Sequence, residues 1–137
     1  MDKFNNIRMG RHCTFAMHVH LVFVTKYRKK IFDSTSINIL NSIFSEVCDK
    51  FEAQLIKMDG EHDHVHLLIE YPPKLSVSKL VNSLKGVSSR LLRKHLPTIK
   101  KQYWKGVLWS PSYFAASCGG APISIVKQYV QQQATPD

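Results

Sequence analysis

Two stretches of helical periodicity each lie between runs that read as β-strands, and this alternation leaves the chain few folds to choose from. Met17-His-Val-His-Leu-Val-Phe-Val-Thr25 is rich in β-branched and aromatic residues, as a buried strand is. Asp33-Ser34-Thr35-Ser36 then offers helix-starting side chains. Ile37, Leu40, Phe44, Val47 and Phe51 follow at spacings of three and four, which predicts an amphipathic helix of about four turns. Gln54 to Met58 reads as a short strand, Asp59-Gly60 as a turn, and His64 to Tyr71 as a second buried strand stopped by Pro72-Pro73. Ser76 caps the next helix, whose apolar stripe is Val77, Leu80, Leu84, Val87 and Leu91, and Pro97 closes it. The opposite face carries Lys79, Asn82, Lys85, Ser89, Arg90 and Arg93 and is basic. Ser112 to Cys118 reads as a last strand, Gly119-Gly120 as a flexible joint, and Pro122 opens a final helix through Gln133.

The order is β-α-β-β-α-β with one extra helix. It predicts an α+β fold, a split β-α-β (ferredoxin-like) sandwich with an antiparallel sheet and helices on one face. The first and third strands would be central neighbours, and the other sheet face would be open to a ligand. With 137 residues, no internal repeat and no long linker, residues 1–137 are expected to form one domain. Val19 to Val24 is the best candidate for a membrane span and is far too short. Residues 1–12 have no apolar segment of the secretory kind. Cys13, Cys48 and Cys118 are odd in number and widely spaced, which suits a reducing cytoplasm and neither a disulfide framework nor a zinc knuckle.

Nineteen Lys and Arg against ten Asp and Glu give a net charge of +9. A merely basic, soluble surface would satisfy that number, but the clustering favours a polyanion. Lys26, Arg28, Lys29 and Lys30 surround Tyr27, and Arg90, Arg93, Lys94, Lys100, Lys101 and Lys105 crowd the second half. Such cations neutralise phosphates, and Tyr27, Tyr103 and Trp104 offer faces on which unpaired bases could stack.

On the strand from His64 to Glu70, alternation puts His64, His66, Leu68 and Glu70 on one face, and Val65, Leu67 and Ile69 on the other, toward the core. Neutral imidazoles two apart on a strand suit a divalent metal. An isolated His-x-His pair is nonetheless more often metal-free, and His18-Val19-His20 repeats the pattern on the first strand. Spacing alone does not choose between the pairs. Burial or strand packing is the expected role of His18 and His20, with service as partners behind the ligands the alternative. On the final helix Tyr129 and Gln133 lie roughly 40° apart, at the edge of the stripe Ile123, Val126, Val130. An amide oxygen and a phenol on that face would complete a site for phosphodiester chemistry.

With these residues in view, the chain resembles the single-tyrosine HUH transposases of the insertion sequence 200/605 type. The resemblance runs through Leu21-Val-Phe-Val-Thr-Lys-Tyr-Arg28, Asp63-His-Val-His-Leu-Leu68 and Val81-Asn-Ser-Leu-Lys-Gly-Val-Ser-Ser-Arg90. It continues in Ser112-Tyr-Phe-Ala-Ala-Ser117 and Ile125-Val-Lys-Gln-Tyr129. It implies that His64 and His66 are the HUH pair, holding Mg²⁺ or Mn²⁺ together with Gln133. It implies that Tyr129 is the nucleophile, cleaving and rejoining single-stranded DNA at hairpin-bearing element ends through a 5′-phosphotyrosine. It also implies a homodimer in which the tyrosine helix of one subunit completes the other's site. Lys26, Arg28, Lys29, Lys85, Arg90 and Arg93 are then expected to contact DNA. Four residues follow Gln133, where the family's tyrosine helix often continues, so weaker docking of the helix is expected. A domesticated palindrome-acting relative or a replication initiator would share the chemistry, and a non-catalytic module binding single-stranded nucleic acid would share only the charge.

Overall fold

The computed structural model describes residues 8–9, 14–15, 17–102, 106–117 and 123–133. Cys13, Tyr103, Trp104, Lys105, Cys118, Gly119, Gly120 and Pro122, all drawn into the sequence reading, lie outside the described residues. A short antiparallel pair, β1 (Arg8–Met9) and β2 (Thr14–Phe15), precedes the main body. There follow β3 (His18–Val24), α1 (Ser34–Lys50), β4 (Gln54–Gly60), β5 (His64–Glu70), α2 (Val77–His95), β6 (Phe114–Ser117) and α3 (Ile123–Gln132). The four long strands form one sheet in the order β4-β5-β3-β6, every neighbour antiparallel. This is the split β-α-β sandwich, with β3 and β5 central as expected. Among the described residues no helix is long and apolar enough to cross a membrane.

The central register pairs His18 with Glu70, Val22 with His66 and Val24 with His64. Alternation then turns Val19, Leu21, Phe23, Val65, Leu67 and Ile69 to one face, where all are buried in a single cluster with α1 and α2. Each such side chain contributes about 1.5–3 kcal/mol by leaving water. Asp33 caps α1 reciprocally with Ser36, its carboxylate accepting the Ser36 amide while the Asp33 amide bonds the Ser36 hydroxyl. Ser76 caps α2 through the Lys79 amide. The stripe on α2 is rotated slightly from the sequence reading. Leu80, Val81, Leu84, Ser88 and Leu92 are buried, while Val77, Val87 and Leu91 are partly covered. Ser88 is tolerated there because its hydroxyl accepts from Trp109 Nε1 at 3.0 Å.

Asp59-Gly60 is not the turn that its composition suggests. Both residues stay in β4, paired with His66 and Val65, and the reversal falls at Glu61 to Asp63. Space is tight at Gly60, where a Cβ would lie 2.5 Å from Ile37 Cδ1 and 3.2 Å from Val65 Cγ1, so that the Ile37 end would have to shift. The second sheet face is not wholly open either. Val126 and Val130 of α3 bury against Val22 and Val24, with Phe114 and Tyr129 at the edge of that cluster. The sheet is therefore covered by α1 and α2 on one side and in part by α3 on the other.

Candidate active site

His64 opens β5, and its setting is built by the residue before it. Its Nδ1 lies 2.7 Å from Asp63 Oδ1, so the ring donates there and turns its Nε2 lone pair outward. The other carboxylate oxygen accepts from Arg28 Nε at 2.9 Å. Burial alone would raise the Asp63 pKa, but the hydrogen bonds and charges of His64 and Arg28 outweigh it and hold the carboxyl below its usual range. Arg28 reaches Asp63 because Tyr27 and Arg28 both adopt left-handed backbone, at φ 59° and 54°. Thr25 anchors that bend. Buried, it donates its amide to the Asp63 carbonyl (2.9 Å) and its hydroxyl to the Lys29 carbonyl (2.7 Å).

His66 shares the face of His64, with ring centroids 4.9 Å apart. Its Nδ1 lies 3.2 Å from His20 Nε2, and these two rings stack at 5.4 Å. A proton on His66 Nδ1 donated to His20 leaves the lone pair of His66 Nε2 free, as ligation requires. Burial lowers the pKa of His20, and burial, then His64 and His20, lowers that of His66, which favours the neutral form of both. His20 is thus the partner behind His66, a role the sequence reading held only as an alternative. The signal was present in the register, since His20 sits diagonally from His66 across β3 and β5. His18 takes no part and pairs with Glu70 at 3.4 Å. Glu61 is an addition, with Oε2 4.0 Å from His64 Nε2; Glu61, Asp63 and His64 together have the spacing of a cation site.

The final helix meets this face with a defined rotation. With Val126 and Val130 down on the sheet, about 100° per residue carries Lys127 and Gln131 to one side and Tyr129 and Gln133 to the other. Lys127 and Gln131 accordingly line the cavity of about 370 Å³ that holds His20, His64 and His66. Tyr129 and Gln133 lie across β6. The Tyr129 hydroxyl is 2.8 Å from Ser112 Oγ, and Gln133 Oε1 accepts from Ser110 (2.5 Å) and Ser112 (3.2 Å). From Tyr129 a row of rings runs through Phe114 and His20 to His66, with contacts of 5.8, 6.4 and 5.4 Å. Within one chain the structure brings His64 and His66 together, and Tyr129 with Gln133, but does not bring the two pairs together.

The family model for IS200-like transposases matches residues 13–133, which spans the histidine strand and the tyrosine helix alike. The chain belongs to the IS200-like transposase family. It is 28% identical over 127 residues to the ISDra2 transposase TnpA of Deinococcus radiodurans, covering 93% of this chain and 91% of that one. It is 29% identical over 126 residues to the transposase of insertion sequence element IS200 from Salmonella typhimurium, covering 92% and 82%. Among solved structures, a candidate transposase of Deinococcus radiodurans R1 superposes with a TM-score of 0.82 at 27% identity, over 92% of this chain and 97% of that one. A REP-associated tyrosine transposase bound to a REP hairpin shares the fold, with a TM-score of 0.56 at 11% identity over 90% and 67%.

In this transposase the six basic residues singled out for DNA have different settings. Arg28 is tied to Asp63, and Lys26 lies over the Tyr27 ring at 5.2 Å. Lys85 donates to the carbonyls of Ser110 (2.7 Å) and Ser112 (3.2 Å), and burial pushes its pKa down to about 8. Arg93 Nε bonds the Ser89 carbonyl, Lys29 is half-buried, and Arg90 stands exposed on α2. Chemically, the arrangement offers His64 with an outward lone pair backed by a carboxylate, and His66 with one whenever its Nδ1 donates to His20, beside a cavity rimmed by Arg28 and Lys127.

Proposed function

We propose that this transposase cleaves and rejoins single-stranded DNA at hairpin-bearing ends, with Tyr129 as its nucleophile. In this reading residues 1–137 act as one catalytic domain in the cytoplasm. His64 and His66 would hold Mg²⁺ or Mn²⁺, with Gln133 as the third ligand. The observation that carries the reading is the hydrogen bond from His64 to buried Asp63, because a carboxylate behind a ligating imidazole fixes its tautomer and raises its basicity. When bound, the ion would neutralise charge developing on the scissile phosphate.

The chain's own residues supply the rest. The Tyr129 oxygen, once its proton is lost, forms a bond to phosphorus as the bond to the 3′ oxygen breaks. The DNA is left with a free 3′ hydroxyl and the 5′ phosphate on the tyrosine. Attack by another 3′ hydroxyl reverses the step, so rejoining needs no nucleotide cofactor. Arg28 and Lys127 at the cavity rim would neutralise strand phosphates, and Lys26, Lys29, Lys85, Arg90 and Arg93 would add to the basic surface.

The separation of Tyr129 from His66 by Phe114 and His20 supports a composite site, in which two chains of a homodimer exchange α3. Two experiments test this. Tyr129→Phe keeps the ring and removes the nucleophile, so it should bind a labelled single-stranded hairpin end and form no covalent adduct. An adduct with the Phe variant would sink the assignment. Tyr129→Phe and His64→Ala/His66→Ala should each be inactive, yet regain cleavage when their subunits mix. Verified heterodimers without cleavage would reject the exchange.

A further inference from the structure

The sheet-edge segment from Ser110 to Ser112 meets α3 through its polar side, not its apolar one. Its two serines flank Pro111, where the backbone bends, and the hydroxyls of both face α3. Both reach Gln133 Oε1, and Ser112 also meets the Tyr129 hydroxyl. The proton order is self-consistent: Tyr129 donates to Ser112, and Ser112 and Ser110 each donate to Gln133. The segment beneath is held on two sides. The Ser110 amide bonds the Val24 carbonyl at 2.7 Å, and the Lys85 ammonium clamps the carbonyls of both serines.

We propose that Ser110 and Ser112, clamped by Lys85, form a resting seat that holds Tyr129 and Gln133 away from the histidines until α3 is released. This rests on the reading of Tyr129 as nucleophile and Gln133 as ligand. The seat and the working site are mutually exclusive at the atom level. Gln133 Oε1, the atom that would bind the ion, already accepts from two hydroxyls, and the Tyr129 oxygen that would attack is tied to one of them, that of Ser112. Lys85 thereby acts as a positioning residue, stiffening the seat through the serine carbonyls, and its place in the fold has an explanation besides DNA contact.

The test compares full-length wild type with Ser112→Ala, whose side chain is at the surface, and with Ser112→Thr, which keeps the hydroxyl. Hydrogen exchange of the α3 amides, measured without DNA, should quicken roughly fivefold in Ser112→Ala, because losing one hydrogen bond of ordinary strength has about that effect and a ten-residue helix off its support frays. Single-turnover adduct formation on a hairpin oligonucleotide with Mn²⁺ should quicken as well, and Ser112→Thr should restore both rates. Lys85→Met should shift exchange in the same direction while leaving both hydroxyls in place. Unchanged exchange in Ser112→Ala overturns the seat. Faster exchange with slower adduct formation also overturns it, and makes the serines part of the working site. An adduct that survives Tyr129→Phe refutes the underlying assignment instead, so the two failures are distinguishable.

Discussion

Asp63→Asn isolates the contribution of the residue behind His64. The carboxylate is buried, with 3% of its residue surface exposed, and it accepts from His64 Nδ1 and Arg28 Nε through different oxygens. Asparagine fits the space but has one acceptor oxygen, so either His64 or Arg28 faces an amide NH₂ and loses its partner. An unsatisfied group of this kind costs about 1–3 kcal/mol. The lower half of that range is expected if Arg28 is the loser, since its side chain is 34% exposed and water replaces part of the bond. For a chain of this length, that is roughly 3–5 °C of melting temperature per kcal/mol. The effect on metal should be larger, because losing the group behind a ligating histidine typically weakens binding about 10–100-fold. Titrating the DNA-free protein with Mn²⁺, followed by electron paramagnetic resonance, measures that directly alongside thermal melts. Arg28→Gln is the control: it leaves the His64–Asp63 bond intact and should cost stability with a far smaller change in Mn²⁺ affinity. A lowered melting point in Asp63→Asn with wild-type Mn²⁺ affinity would refute the reasoning.

Removing either imidazole should abolish cleavage, whereas Gln133→Ala should retain some that rises with added Mn²⁺, because water can replace an amide oxygen; full activity in His64→Ala with loss in His18→Ala would move the site to β3. His20 and His66 have pKa values lowered from 6.5, so the unfolded chain takes up their protons first. Their contribution to stability is complete above 6.5 and lost as pH falls through the lowered values. Urea midpoints should drop over that window and drop less in His20→Asn, and an identical slope in the variant would exclude this origin. Affinity for hairpin-bearing single strands should fall steeply with salt and exceed that for duplex of the same sequence; equal binding of the two would count against single-strand selectivity.

What the sequence made legible was whatever depends on periodicity and local chemistry. The stripe from Ile37 to Phe51, the caps at Asp33 and Ser76 and the alternation around His64 each leave a mark within a few residues. The order of elements then left one common way to arrange four strands. The missed features depend on contacts between distant segments. The pairing of His20 with His66 follows from a register that no spacing reports. Gly60 looks like a turn residue because the crowding by Ile37 comes from another element. Lys85 looks like a phosphate contact because its position on a basic helix face gives no hint of two carbonyls waiting 25 and 27 residues onward. Tyr129 and Gln133 were correctly placed on one helix face, but which neighbour that face meets depends on how α3 sits.

The chain also divides its labour by position. Both histidine pairs, Arg28 and Asp63 precede the exposed Pro73 and Lys74, while Lys85, Ser110, Ser112, Tyr129 and Gln133 all follow them. A single crossover between two relatives at that turn would exchange Tyr129, Gln133 and the serines and lysine that hold them as one heritable block, leaving the histidines and Asp63 untouched. Such a block can be tuned as a unit, so the setting of Tyr129 can diverge between lineages while the surroundings of His64 and His66 stay the same.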